Sequence, residues 1–214
     1  MKRGNIFIIT GPTCSGKTVI SDYIIKNRKN IVYAISATTR PRRIGEDDKN
    51  YEFLTEKQFE NEIKNNSFLE YCEVYGNYYG TKKDSFDATN KGKDVIKLID
   101  VKGALKLKNS GLKAIYFFFS PSNRKIIEER LTLRKDKNKE LRLKEFDNEI
   151  KYKNNFDYYI DTSGDKEDNS IGKCAEKVIS IMDNIWPKKD LSSFGIFKNE
   201  KFKFKRDKTV KEFE

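Results

Sequence analysis

The segment Gly11-Pro12-Thr13-Cys14-Ser15-Gly16-Lys17-Thr18 leaves this chain the least freedom. It matches G-x-x-x-x-G-K-[ST], with an apolar run at residues 6–9 before it and Val19, Ile20, Tyr23 and Ile24 at helical spacing after it. Glycines let the backbone of such a loop curl so that its N–H groups point at a phosphate. The helix that follows adds the positive end of its dipole. Lys17 then supplies a point charge between the β- and γ-phosphates, and the Thr18 hydroxyl is the candidate ligand for Mg²⁺. All eight residues are candidate binding positions for a nucleoside triphosphate. A plain glycine turn between strand and helix is the rival reading, and the strand–loop–helix context weighs against it. Cys14 lies inside the loop, where a helix N-terminus can lower a thiol pKa; filling a small slot is the simpler role.

The rest of the pattern alternates. Strand-like runs at residues 31–35, 95–101, 114–119 and 156–161 are interleaved with helical patterns at 103–109, 120–133, up to 153, and 171–185. Strands alternating with helices imply an α/β fold with a parallel sheet covered on both faces, here a three-layer P-loop NTPase core. Residues 36–49 read as a polar, arginine-rich loop. Residues 51–81 break the alternation: a strand at 51–54, a helix at 56–65 with Phe59 and Ile63 inward, a strand at 68–75 and a turn at 76–80. The expected organisation is one domain over 1–187. Its core comprises 1–35 and 95–187, with an inserted subdomain at 36–94 and a short helical lid at 134–142. A basic tail at 188–214 reads as an unpacked extension.

Composition narrows the chemistry. Lys and Arg outnumber Asp and Glu by 44 to 33, a net charge of +11 that favours anionic partners. The chain has no histidine, which removes imidazole acid–base catalysis and histidine metal ligands together. Three dispersed cysteines form no CxxC pair, so neither a disulfide framework nor a zinc site is indicated. No apolar run is long enough for a signal peptide core or a membrane span, and a soluble, cytoplasmic protein is expected.

Ser36-Ala37-Thr38-Thr39-Arg40-Pro41-Arg42-Arg43-Ile44-Gly45-Glu46, followed by Tyr51, resembles the GMP-binding signature of guanylate kinases. Phe68-Leu69-Glu70-Tyr71 and then Gly76-Asn77-Tyr78-Tyr79-Gly80-Thr81 resemble the family's second signature. With the loop at 11–18, Asp100 and the Glu129-Arg130-Leu131 segment, the resemblance covers about residues 4–162 in matching order and spacing. It implies in-line transfer of phosphate from ATP, with Mg²⁺, to GMP and also dGMP. It implies that Arg40, Arg43, Tyr51 and Tyr79 hold the GMP phosphate and that Glu70 accepts from guanine N1–H and the N2 amino group. Ser36 and Thr81 help to read the base, and Asp100 lies near the acceptor. Lys17, Arg40, Arg43, Arg130, Arg134 and Arg142 form the catalytic set of cations, the last three on the lid and its flanks.

The nucleophile is then a phosphate oxygen, already anionic near neutral pH, so positioning and charge neutralisation suffice without a general base. Three departures from the family pattern stand out: Leu98 where an Asp-x-Asp pair ending in Asp100 begins, a short lysine-rich lid, and Thr162 in place of an asparagine. Two alternatives are a ribose 1,5-bisphosphate kinase of related fold and a non-catalytic guanylate-kinase-like binding module. The partners expected are the small molecules GMP and ATP, with no dedicated nucleic-acid or membrane partner, on a monomer or homodimer.

Overall fold

The computed structural model describes residues 3–42, 50–74, 76–164 and 170–185. Among the described residues, nine strands divide between two sheets. The larger contains β1 (Ile6–Thr10), β2 (Ile31–Tyr33), β7 (Asp94–Leu98), β8 (Ile115–Ser120) and β9 (Tyr158–Asp161) in the order β2-β7-β1-β8-β9. Every pairing in it is parallel. All of β1 and β8 is buried, because both faces of the sheet are covered and strand alternation therefore leaves no solvent side. Ile6, Ile8, Val95, Tyr116 and Phe118 face one layer, built from α3 (Val101–Asn109) and the 3₁₀ segment Lys83–Lys91. Phe7, Ile9, Ile96, Phe117 and Phe119 face the other, where α1 (Lys17–Asn27) and α6 (Ser170–Ile185) bring Ile20, Ile24, Ala175, Val178 and Met182. These are the three α/β/α layers that the alternation implies. Val19 is a local exception to the expected apolar stripe of α1: it is exposed, and the buried positions are Ile20, Ser21 and Ile24.

The smaller sheet holds β3 (Ser36–Thr38), β4 (Tyr51–Phe53), β5 (Phe68–Val74) and β6 (Asn77–Lys82) in the order β4-β3-β6-β5. Two expectations are corrected here. Ser36–Thr38 is a strand rather than the start of a loop, and Asn77–Lys82 is a strand rather than a turn. Both are short and polar, and each gains its ladder from the other: Ser36 pairs with Thr81, Ala37 with Gly80 and Thr38 with Tyr79. Tertiary pairing overrides weak local propensity here. The sheet's back carries α2 (Glu56–Lys64), started by a capping box between Thr55 and Gln58, whose Phe59 stacks between Phe68 and Tyr78. Helices α4 (Arg124–Leu133) and α5 (Lys139–Glu149) pack together through Ile127, Leu131, Leu143 and Phe146. No helix among the described residues is long and apolar enough to cross a membrane. The tail at 188–214 lies outside the described residues.

Candidate active site

The glycine-rich loop leaves the carboxyl end of β1, the edge where open α/β sheets gather their ligands. Gly11 has φ 139°, and a Cβ there would lie 1.9 Å from the Phe119 carbonyl oxygen, so only glycine fits. Gly16, at φ 85°, turns the chain into α1. Cys14 has φ 58° and packs against the Ile127–Phe146 cluster, which is the small-slot role. The Lys17 ammonium lies across the loop, donating to Gly11 O at 2.6 Å and Pro12 O at 2.7 Å. Burial lowers its pKa, and the carboxylates of Glu149 and Asp100 oppose that shift. Thr18 is exposed on the first turn of α1.

Three arginines, from α4, the residue that caps its C-terminus and α5, converge on this loop. Arg130 donates to the Cys14 carbonyl at 3.2 Å and to the Thr162 carbonyl at 2.6 Å. Arg134 reaches Cys14 Sγ at 3.9 Å. Arg142 donates to Thr13 Oγ1 at 2.7 Å and pairs with Asp136 at 3.1 Å. The stretch 134–138 is a link between the helices rather than a helix of its own, and α5 starts at Lys139.

A second group occupies one face of the smaller sheet. Tyr51, Ser36, Thr81 and Glu70 are successive register partners across the four strands, and Phe53, Thr38, Tyr79 and Cys72 form the next row on the same face. Directly paired residues share a face, so five candidate residues scattered over residues 36–81 become one surface. Tyr51 and Tyr79 meet edge to face at 6.3 Å, and the Arg40 guanidinium lies 5.3 Å from the Tyr51 ring. Arg43 lies outside the described residues.

Glu70 is buried, at 6 % exposure. Thr81 Oγ1 donates to its Oε1 at 2.6 Å, and Oε2 is buried with no hydrogen-bond partner among the described residues. Burial pushes its carboxyl up, a shift opposed by the Thr81 hydrogen bond and by the charge of Lys97, while Asp100 adds to it. Asp100 follows β7 and caps α3 through Gly103 N at 2.8 Å; its other oxygen is 3.6 Å from Cys72 Sγ. Its charge acts on both Lys17 and Glu70, so it lies within electrostatic reach of both groups. Leu98, at the position of the missing carboxylate, packs with the Phe7–Ile9 core face. Thr162 is buried, with its hydroxyl unpartnered among the described residues.

Two residues in this region carry no motif. Glu149, at the end of α5, has its carboxyl pushed up to about 7 by burial against the attraction of Lys17. Lys97, on β7, is wholly buried and donates to Ser36 Oγ at 2.6 Å. A lysine inside an apolar strand pattern is the sequence signal that could have pointed to it.

The family model described as guanylate kinase matches residues 3–184. The guanylate kinase of Clostridium tetani is 36% identical over 187 residues, covering 85% of this chain and 86% of that protein. That of Carboxydothermus hydrogenoformans is 45% identical over 136 residues, covering 63% and 67%. The crystal structure of guanylate kinase from Anaplasma phagocytophilum superposes with a TM-score of 0.67 at 26% identity, over 86% of this chain and 87% of that one.

Proposed function

Since this chain belongs to the guanylate kinase family, we infer that it transfers the γ-phosphate of ATP to GMP, with the loop at 11–18 holding the donor and the face of the smaller sheet holding the acceptor. The observation that carries the base assignment is Glu70: a buried carboxylate with one oxygen held by Thr81 and the other without a partner among the described residues. Guanine offers N–H donors at N1 and N2 to such an acceptor. Adenine offers none there and would leave the carboxylate buried and unpaired, a penalty that can reach several powers of ten in discrimination.

Two polyanions must approach within bonding distance, and the chain meets this with cations from both sides. Lys17 and the arginines at 130, 134 and 142 surround the donor loop; the contacts among Arg40, Tyr51 and Tyr79 support their reading as the grip on the acceptor phosphate, in which the resemblance includes Arg43. The GMP phosphate oxygen attacks in line, and no side chain need remove a proton. Magnesium takes few protein ligands beside phosphate oxygens and water, and the exposed Thr18 hydroxyl beside the loop fits that donor set. When bound there, the ion would supply positive charge to the β- and γ-phosphates. dGMP is proposed as a second acceptor, and donor and acceptor groups on separate sheets imply closure on binding.

The test is a coupled assay of ATP with GMP, dGMP, AMP, CMP and UMP. Turnover with GMP and dGMP, and AMP slower by at least about 10³-fold in kcat/KM, is the expected result. Comparable turnover of AMP would overturn the role of Glu70.

A further inference from the structure

Lys97 sits on a strand whose neighbouring residues Val95, Ile96 and Leu98 are apolar, and it is 0 % exposed. Alternation along β7 places it on the Val95 face, toward α3 and the smaller sheet. A buried ammonium is tolerated only with close acceptors. Its Nζ donates to Ser36 Oγ at 2.6 Å and to the Ile35 carbonyl at 3.3 Å, both at the entry of the smaller sheet. A side chain rooted in the core sheet thus holds the strand that starts the acceptor face.

The chemistry of the contact has a direction. An ammonium has donors and no acceptor, so Ser36 Oγ must accept from it, and the hydroxyl proton is turned toward whatever else Ser36 faces. Ser36 lies in the same row as Thr81 and Glu70. Thr81 donates to Glu70, which leaves the free oxygen of Glu70 as an acceptor. Guanine has a carbonyl oxygen at C6 and donors at N1 and N2; adenine has a donor at C6 and an acceptor at N1. A donating hydroxyl beside an anionic carboxylate therefore fits guanine and opposes adenine.

We propose that Lys97 is a positioning residue that sets the polarity of the guanine pocket, forcing Ser36 to donate and keeping Glu70 an anionic acceptor; this rests on the assignment of Glu70 to base recognition. The charges facing Glu70 are Asp100 from the cap of α3, Lys106 from α3 and Lys97 from β7, with the Cys72 thiol on its own strand. Asp100 opposes ionisation of the carboxyl, and the two lysines favour it.

The experiment compares Lys97→Met, Lys97→Gln and Glu70→Gln in steady-state assays across pH. Met keeps the length of the stem on an apolar face. Gln keeps a donor for Ser36 but no charge. Both Lys97 variants are expected to raise KM for GMP about fivefold near neutral pH, approaching tenfold in acid, the effect of about one unit in the Glu70 pKa. The acid limb of kcat/KM for GMP moves to higher pH in both, while KM for ATP and kcat at saturating GMP hold. Titration of the GMP phosphate is common to all enzymes and cancels. In a Glu70→Gln background, Lys97→Met adds little on the acid limb, because the carboxyl it acts on is gone. An unmoved acid limb in both Lys97 variants overturns the proposal, as does a shift in Lys97→Met alone, which would reduce the lysine to a hydrogen-bond donor. Loss of a cooperative melt in both variants overturns it too, by making the lysine purely structural. If Glu70→Gln leaves KM for GMP unchanged, the base assignment itself fails; if Glu70→Gln weakens GMP and the Lys97 variants do not, only the role of Lys97 fails.

Discussion

Replacing Glu70 by Gln keeps the side chain's size and removes its charge, and the consequences for binding and stability have opposite signs. Glu70 Oε1 accepts from Thr81 at 2.6 Å, and Oε2 has no partner among the described residues. If the amide oxygen of Gln keeps the Thr81 bond, its NH₂ faces the guanine N–H groups, donor against donor. If the amide turns over, the Thr81 hydroxyl loses its acceptor. Two hydrogen bonds to a charged group, each worth about 1.5–3 kcal/mol, are lost or weakened, so the net cost is about 3 kcal/mol. That corresponds to roughly two powers of ten in KM for GMP. KM for ATP should hold. Stability runs the other way. Burial raises the Glu70 carboxyl in the folded state, so its contribution to stability is full below the ordinary carboxylate range and is lost as pH rises through the raised pKa. Gln has no such loss, and the variant should melt above the parent at alkaline pH, with the gap closing in acid. Coupled kinetics with varied GMP and thermal melts at acid and alkaline pH read both effects. An unchanged KM for GMP refutes the recognition role. A melting temperature below the parent's at alkaline pH refutes the account of the buried charge.

Lys17→Ala removes the ammonium from the donor loop and should lower kcat by at least about 10³-fold while circular dichroism stays that of the parent; near-normal turnover would show that the loop does not hold the transferred phosphate. Glu149→Gln tests a buried carboxylate whose pKa is pushed up to about 7. That group's contribution to stability is present below its ordinary value near 4.5 and is lost as pH rises through 7. Glu149 is partly exposed, so the variant should exceed the parent by about 2 kcal/mol above that range and match it in acid, as read by denaturant unfolding at both pH values. A pH-independent difference would refute the linkage.

The glycine-rich loop was legible because its physics is local. Gly11 and Gly16 occupy backbone conformations that glycine adopts freely, Lys17 follows at fixed spacing, and the flanking apolar runs mark strand and helix. The grouping of Arg40, Tyr51, Glu70 and Tyr79 on the smaller sheet was legible only through resemblance, since they have no local pattern that says they meet. What was misread, the strands Ser36–Thr38 and Asn77–Lys82, is short and polar, and such segments become strands only when a partner supplies their hydrogen bonds. Lys97 and Glu149 were missed for a related reason: nothing within a few residues of either names the group it faces.

From the chain alone came the order of strands and helices, the glycine-rich loop after the first strand, and an excess of cations with no imidazole among them. Folding decided which side chains share a face and how deeply each is buried. Register across four strands put Tyr51, Ser36, Thr81 and Glu70 in one row, and the alternation of β7 turned Lys97 toward that row and Leu98 away from it. Hydrogen-bond polarity and carboxyl ionisation depend on those neighbours and on exclusion of water, which are properties of the packed sheets and not of any stretch of sequence.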